Sequence, residues 1–119
     1  MREIKFRGKY DFGKRWLYGD LRHIGNIVCI YSGTDANVGS TVDPETVGQF
    51  TGLHDSDRRE IYEGDVLGAS KTTVLVEWGV DGWVADCFTL LEWLKLHESH
   101  VIGNIYDSPE LLEANHERD

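Results

Sequence analysis

The stretch from residue 47 to residue 66 constrains the fold more than any other part of the chain. Residues 47–53 and 60–66 are rich in the β-branched, aromatic and other apolar residues that favour strands. A polar turn at residues 55–59 separates these two runs. Glycines stand where the backbone has to bend, at Gly52 and Gly64. The middle of the chain is therefore predicted to be two strands joined by a turn.

Further short strands are predicted on both sides of this stretch, from period-two alternation or from continuous apolar runs. They are residues 3–7, 16–21 and 27–31 before it, and residues 71–78 and 83–85 after it. The first three predict an antiparallel meander and the last two a hairpin. The Gly64-Asp65 turn is similar to turns that change strand direction in small SH3-like barrels. The predicted fold is therefore mostly β, with an N-terminal antiparallel meander and a small SH3-like barrel.

One or two short helices are predicted near the C-terminus. Thr89 and Glu92 have the spacing of a capping box. Phe88 before the cap and Trp93 after it can form a hydrophobic staple, which also favours a helix start here. In residues 108–110, a serine that can cap precedes a proline and a glutamate, a pattern typical of a second helix start.

The 119 residues correspond to the usual size of one domain. We predict a single domain over residues 1–119, with a meander and loop in residues 1–40. Residues 41–112 would form the barrel and helices, and residues 113–119 a frayed tail. The segment 32–40, rich in Gly, Ser, Asp and Asn, is predicted to be the connecting loop.

Composition and charge narrow the classes of partner. The net charge of −9 argues against nucleic acid, since such binding depends on Lys and Arg at phosphates. No apolar run approaches the roughly 20 residues of a membrane span, and the alternating start does not fit a signal peptide. Cys29 and Cys87 lie in apolar surroundings and are predicted to be buried thiols, although the sequence does not show whether they are close.

No cluster of residues in the sequence forms a recognisable catalytic or metal site. His97 and His100 have a spacing that could share a metal, but no third ligand follows, so we predict no metal site. His54 and Asp55 belong to a turn that collects hydrolase-type groups, which turn chemistry explains as well. The sequence contains no phosphate-binding or dinucleotide-binding loop, so we predict no cofactor and no enzymatic activity.

The aromatic residues of the first third are the strongest indication of a binding surface. A three-stranded meander cannot by itself bury aromatic side chains on both faces, and protein interfaces are enriched in Trp and Tyr. We therefore predict an interaction surface and self-association. The candidate residues are Phe12, Trp16, Tyr18 and Tyr31.

The chain resembles the YopX family, small proteins encoded by phages and prophages. The likeness begins with IKFR at residues 4–7, is most specific in TVGQFTGLHD (46–55) and EIYEGDV (60–66), and closes with VIGNIYDSPELL (101–112). The resemblance implies a mostly-β, oligomeric protein of unsettled biochemical function in the cytoplasm of a bacterial host. It supplies no catalytic residues.

The motif residues themselves have mostly structural interpretations. The apolar members are predicted to lie in the core; these are Phe50, Ile61, Tyr62, Ile102 and Ile105. The polar members with a less obvious packing role are Gln49, Asp65 and Asn104. Each could cap a turn or satisfy a strand edge, and we prefer that reading to ligand contact.

The preferred prediction is a phage or prophage accessory protein that acts as a non-enzymatic binding or assembly module through protein–protein contacts. Its partners would be further copies of itself, or a host or phage protein. The alternative is a nucleic-acid-binding barrel with basic Arg58, Arg59 and Lys71 and with Tyr62 or Trp78 for stacking. A small hydrolase around His54 and Asp55 is the third candidate.

Overall fold

The structure, a computed structural model, describes residues 4–32, 39–70, 72–80, 82–86 and 88–112. These residues are mostly in antiparallel strands, which confirms the predicted mostly-β class. The SH3-like closure stays a prediction. The chain divides into two compact units, Met1–Phe50 and Thr51–Asp119, which are described separately below.

The described residues of the first unit form four strands, a 3₁₀ helix and the start of a fifth strand. They are β1 (Phe6–Lys9), β2 (Trp16–Ile24), β3 (Ile27–Tyr31), β4 (Gly39–Thr41), the 3₁₀ helix Pro44–Thr46 and β5 (Gly48–His54), which continues into the second unit. The strand order is β4-β3-β2-β1-β5. Strand β3 has the predicted bounds, whereas β2 is three residues longer than predicted. Part of the predicted loop is in fact strand β4, and residues 33–38 of that loop lie outside the described residues.

One face of the first unit's sheet forms its hydrophobic core. In antiparallel pairs, residues directly opposite each other point to the same face, and neighbours along a strand alternate. Leu21 pairs with Ile30, which is almost completely buried. The apolar residues packed together on this side are Phe6, Leu17, Leu21, Val28, Ile30, Val42 and Val47. The side chains at alternate positions therefore belong to the opposite face.

The described residues of the second unit contain the end of β5, six more strands and the helix α1. They are β6 (Glu60–Tyr62), β7 (Asp65–Ala69), β8 (Thr72–Trp78), β9 (Trp83–Ala85), β10 (Phe88–Thr89), α1 (Leu90–Leu96) and β11 (His100–Asn104). Five strands form a sheet in the order β10-β9-β8-β7-β11, and β6 pairs with β5. The predicted hairpin is confirmed as β8 and β9. Residues 110–112 are also helical, which confirms the second helix start.

Helix α1 begins as its sequence predicts. The Thr89 hydroxyl accepts a hydrogen bond from the Glu92 N–H at 3.1 Å, and the Phe88 and Trp93 rings lie 5.9 Å apart. Both the cap and the hydrophobic staple are confirmed. Leu90 and Trp93 are buried in a core that also contains Ile61, Leu67, Ala69, Val74, Val76 and Ala85. The Trp93 indole N–H donates to Ser99 Oγ at 2.8 Å, so the one polar group of this buried ring has a hydrogen-bond partner.

Not every predicted core residue is buried. Phe50, Ile61 and Tyr62 are buried as expected, but Ile102 is 46% exposed. The pairing of β11 with β7 shifts register between Val101 and Gly103, so the residue between them is displaced from the ladder. Ile102 therefore packs over the surface of Gly68 instead of entering the core, and its assignment to the core was wrong.

Two further observations bear on the predictions from composition. Cys29 is a buried free thiol, which confirms its interpretation as a small apolar residue. Cys87 lies outside the described residues. Among the helices of the described chain, none is long and apolar enough to cross a membrane.

Candidate functional site

Three of the four aromatic candidates lie together on the face of the first unit's sheet opposite its core. Trp16 pairs with Lys9 and Tyr18 pairs with Arg7 across β1, while Tyr31 pairs with Asp20 across β2 and β3. These pairs belong to the face that excludes Leu21 and Ile30. We call this the aromatic face and define it by six residues: Trp16, Tyr18, Arg22, Ile24, Ile27 and Tyr31.

Guanidinium groups hold the aromatic rings of this surface. The Arg22 guanidinium lies 4.1 Å from the centroid of the Tyr31 ring, and the Arg7 guanidinium lies 4.8 Å from that of Trp16. Such cation–π contacts contribute about 0.5–1 kcal/mol at exposed sites such as that of Arg22, and about 2 kcal/mol or more where the cation is desolvated, as it is for Arg7, which is 5% exposed. A Cβ added at Gly39 would lie 2.5 Å from the Tyr31 ring, so the ring also rests on the backbone of β4. The rings are therefore fixed in place without belonging to the core.

The aromatic face ends in an exposed apolar pair at the tip of the β2–β3 hairpin. Ile24 and Ile27 face each other across a two-residue turn, and they are 54% and 52% exposed. Gly25 has φ of +63°, as a type II′ turn requires at its first central position. A tight turn and five consecutive pairs make this tip a defined projection.

Phe12 lies apart from the other three candidates. It is 81% exposed in the turn between β1 and β2, and its ring stacks edge-on with Tyr10 at 5.8 Å. Phe12 is thus near the opposite end of β2 from Ile24. It provides an exposed aromatic side chain outside the aromatic face.

The polar motif residues Asp65 and Asn104 are placed at turns. Asp65 is almost completely buried, and its carboxylate accepts from the Tyr62 N–H at 2.8 Å. The Asn104 side-chain oxygen accepts from the N–H groups of Tyr106 and Asp107 at 3.0 and 2.9 Å. Gln49 is half-buried in β5, opposite Phe6. Asp65 and Asn104 therefore have the capping contacts that the sequence favours.

Asp55 is the most heavily hydrogen-bonded side chain of the central turn. One carboxylate oxygen accepts from the N–H groups of Asp57 at 2.8 Å and Arg59 at 2.9 Å. The other accepts from the N–H of Val101 in β11 at 2.8 Å. The side chain is only 6% exposed, so these bonds are shielded from water. Asp55 therefore holds its own turn closed and attaches β11 to it.

The surrounding polar contacts join the same two segments. The Ser56 N–H donates to the Ser99 carbonyl at 2.9 Å, and the Ser99 N–H donates to Ser56 Oγ at 3.0 Å. His100 Nδ1 lies 2.8 Å from Asp57 Oδ2. These contacts form a polar seam between residues 55–59 and the start of β11.

Within the described residues, this seam also holds three side chains that could ligate a metal. Ligand atoms of Asp55, Asp57 and His100 all lie within 4.8 Å of one another. The Asp55 oxygens already accept three backbone N–H groups, and His100 and Asp57 form an exposed pair. The geometry is fully explained as a structural seam. His97, the other candidate from the sequence, stacks on Trp93 at 4.1 Å.

The structure gives several residues of the two alternative functions other contacts. Tyr62 is 2% exposed and cannot stack on a base, so that assignment was wrong. Trp78 is exposed but packs edge-on against Trp83 at 4.7 Å, and Lys71 lies outside the described residues. For the hydrolase, Asp55 accepts from backbone N–H groups, whereas a triad needs its carboxylate to orient a histidine such as His54.

The model of the YopX protein family matches residues 3–113. The chain belongs to the YopX family. A solved structure, that of protein EF1440 from Enterococcus faecalis, is 20% identical with a TM-score of 0.61. The match covers 94% of this chain and 99% of that one, and at this identity it shows a shared fold. No curated protein gives a significant match.

The polar residues of the YopX-type motifs hold turns and strand ends. Each of the three specific blocks contributes one carboxylate or amide that accepts backbone N–H groups: Asp55 in the first, Asp65 in the second and Asn104 in the third. The long-range bond from Val101 to Asp55 left no signal in the sequence, because its partners are 46 residues apart. The aromatic face also contains residues that sequence reasoning missed, namely Arg22, Ile24 and Ile27. The alternation along residues 16–24 was a usable signal for them.

Acid should weaken the polar seam, because it protonates the Asp55 carboxylate. Burial by itself raises the pKa of Asp55. The N–H groups of Val101, Arg59 and Asp57 and the charge of His100 together lower it by more than burial raises it, so the pKa lies below its ordinary value of 3.8. A carboxyl group with a depressed folded pKa stabilises the fold above its unfolded pKa and loses that contribution as pH falls through the folded value. The stability difference between the wild type and Asp55→Asn should therefore be constant above about pH 5 and shrink below 3.8. Urea unfolding at a series of pH values measures it, and a difference that does not change with pH would contradict this role.

Proposed function

We propose that this YopX-family chain is a non-catalytic binding module that assembles with further copies of itself through the aromatic face. The observation that supports this most directly is the division of the first unit's sheet into two faces. Leu21 and Ile30 lie on the face that forms the core, whereas Tyr18, Ile24 and Ile27 are exposed on the other. Exposed aromatic and aliphatic side chains that alternate with the charged Asp20 and Arg22 on one face of a paired sheet are typical of an interaction site.

The composition of the aromatic face also supports a protein partner. Tyr, Trp and Arg are the residues that dominate binding energy in protein interfaces. Here Trp16 and Tyr31 carry stacked guanidinium groups, so their rings lose little side-chain entropy on binding. The hairpin that presents them is fully paired from Asp20 to Ile24. Such pre-organisation reduces the cost of association.

The wider role of this module rests on the sequence resemblance. We place it as an accessory protein of a phage or prophage in the cytoplasm of the bacterial host. A host or phage protein is the second partner that the same surface would suit. The aromatic face is compatible with both roles, because it needs only a complementary apolar and polar surface.

Self-association is tested by sedimentation equilibrium over a wide range of protein concentration. We expect an oligomer in the wild type, and at least a ten-fold weaker association for Tyr18→Asp, since a charge would be buried in the interface. Phe12→Ser is the matched control, because Phe12 is exposed and aromatic but lies outside the aromatic face. It should associate like the wild type.

The outcome that overturns the proposal is equally direct. A wild-type chain that stays monomeric at its highest soluble concentration does not assemble through any surface. An oligomer that Tyr18→Asp leaves intact assembles through a surface other than the aromatic face. Circular dichroism of each variant separates loss of association from loss of fold.

A further inference from the structure

The second unit carries an apolar cleft that the contacts described so far do not use. Its volume is about 600 Å³, within the range of about 300–1,000 Å³ for ligand pockets in proteins. Leu53, Trp83, Val84 and Leu90 form its walls. Val80 and Leu91 stand at its rim and are 99% and 49% exposed. These two side chains leave apolar area in water that a bound partner would cover.

Two acidic side chains lie near residues of the cleft, and the cationic Lys95 follows the cleft residue Leu91 by one turn of α1. Glu77 is exposed and pairs with the cleft residue Val84 across β8 and β9, so both point to the same face. Glu92 Oε1 lies 3.1 Å from the hydroxyl of the cleft residue Thr89. Among the described residues, none of those that line the cleft carries a charge. The cleft is therefore an apolar opening with an acidic border, which suits an apolar group accompanied by a basic residue.

The tip of the β2–β3 hairpin has this chemistry. Ile24 and Ile27 present two aliphatic side chains at a tight turn, and exposed Arg22 follows on the same face. Two isoleucine side chains are small enough for the cleft. An aliphatic pair loses little conformational entropy on insertion, because β-branched side chains are stiff.

The distribution of charge along the chain favours contact between unlike units of two copies. Residues 1–50 contain seven basic and six acidic residues, a net charge of +1, whereas residues 51–119 contain five basic and fifteen acidic residues, a net charge of −10. Two clefts facing each other would bring like charges together, which costs free energy at an interface. Contact between the first unit of one copy and the second unit of another does not bring like charges together.

From these observations we infer that the hairpin tip of one copy inserts into the acidic-bordered cleft of the next copy. This inference rests on the proposed self-association and names both of its surfaces. Such a contact is heterologous, because the tip and the cleft are different patches of the chain. Repetition of a heterologous contact closes into a ring or continues as a filament.

Complementation between two variants tests the inference. Ile24→Thr with Ile27→Thr removes the tip but keeps β-branched residues in the hairpin. Val80→Asp with Leu91→Asp places charges at the cleft rim, at two exposed positions where the fold is expected to persist. Each double variant alone should associate at least ten-fold more weakly than the wild type. A mixture should form a 1:1 heterodimer, because one copy still has a cleft and the other still has a tip.

Sedimentation velocity of the separate and mixed variants gives distinct outcomes. Recovery of a 1:1 complex in the mixture supports the tip-in-cleft contact. Two weakened variants that stay apart when mixed indicate a symmetric interface and overturn it. A cleft variant that assembles like the wild type also overturns it, while the proposed self-association stands. A monomeric wild type removes both. Leu96→Ser, exposed on α1 but absent from the cleft lining, is the control and should not change association.

Discussion

Replacing Asp55 by alanine is expected to lower the free energy of unfolding by about 3–5 kcal/mol. The carboxylate accepts three backbone N–H groups, from Asp57, Arg59 and Val101, and it is nearly buried. Alanine would leave these donors without an acceptor, and a buried polar group without a partner costs about 1–3 kcal/mol. Urea denaturation followed by tryptophan fluorescence measures the change.

The control for this variant lies two residues away. Asp57→Asn removes the exposed ion pair with His100, and such surface pairs contribute about 0–1 kcal/mol. The comparison separates the buried hydrogen bonds of the turn from its surface charge. Equal, small losses in the two variants would mean that Asp55 does not hold β11, and that another contact, such as the Ser56–Ser99 bonds, carries the seam.

The second large effect is expected for Gly19→Ala, which should lower the free energy of unfolding by at least about 3 kcal/mol. The residue has φ of +155°, which side chains other than glycine rarely adopt. A Cβ there would meet the carbonyl oxygen of Tyr31, would lie 2.9 Å from its carbonyl carbon and 3.1 Å from the Cα of Ser32. These are backbone atoms of the last residue of β3 and of the residue after it, so the clash cannot be relieved by turning a side chain.

Gly25 offers the matched comparison for this prediction. It also has positive φ, +63°, but an added Cβ there would meet nothing within 4 Å. Gly25→Ala should therefore cost only the backbone strain, about 1 kcal/mol. Denaturation gives both values, and amide hydrogen exchange at Ile30 and Tyr31 shows whether the β2–β3 pairing has opened. A Gly19→Ala chain as stable as Gly25→Ala would refute the close approach of β2 and β3.

Asp55 and Gly19 belong to different parts of the sequence and have different roles in the fold. Asp55 belongs to the recognisable YopX-type blocks, whose polar residues hold turns and strand ends in the second unit. Gly19 lies outside the specific blocks, in the strand that carries the aromatic face. Conspicuous motif residues thus describe how the second unit is built, while the proposed interaction surface depends on side chains between the motifs.

The sequence by itself determined the local structure. The bounds of β3, the β8–β9 hairpin and the start of α1 follow from alternation and from the cap at Thr89, which involve residues close in the chain. The class of the fold and the family follow from the same short patterns. Such features need only the intrinsic preferences of neighbouring residues.

The tertiary structure alone decided which residues meet across long separations. Asp55 accepts from Val101, His100 pairs with Asp57, and the register shift in β11 leaves Ile102 exposed. It also decided which face of β2 is buried, because the pattern of Leu17, Tyr18 and Leu21 permits a core on either side. These outcomes depend on how strands pair and pack. The burial of apolar area that drives this packing is non-directional, so local sequence patterns do not specify which distant residues meet.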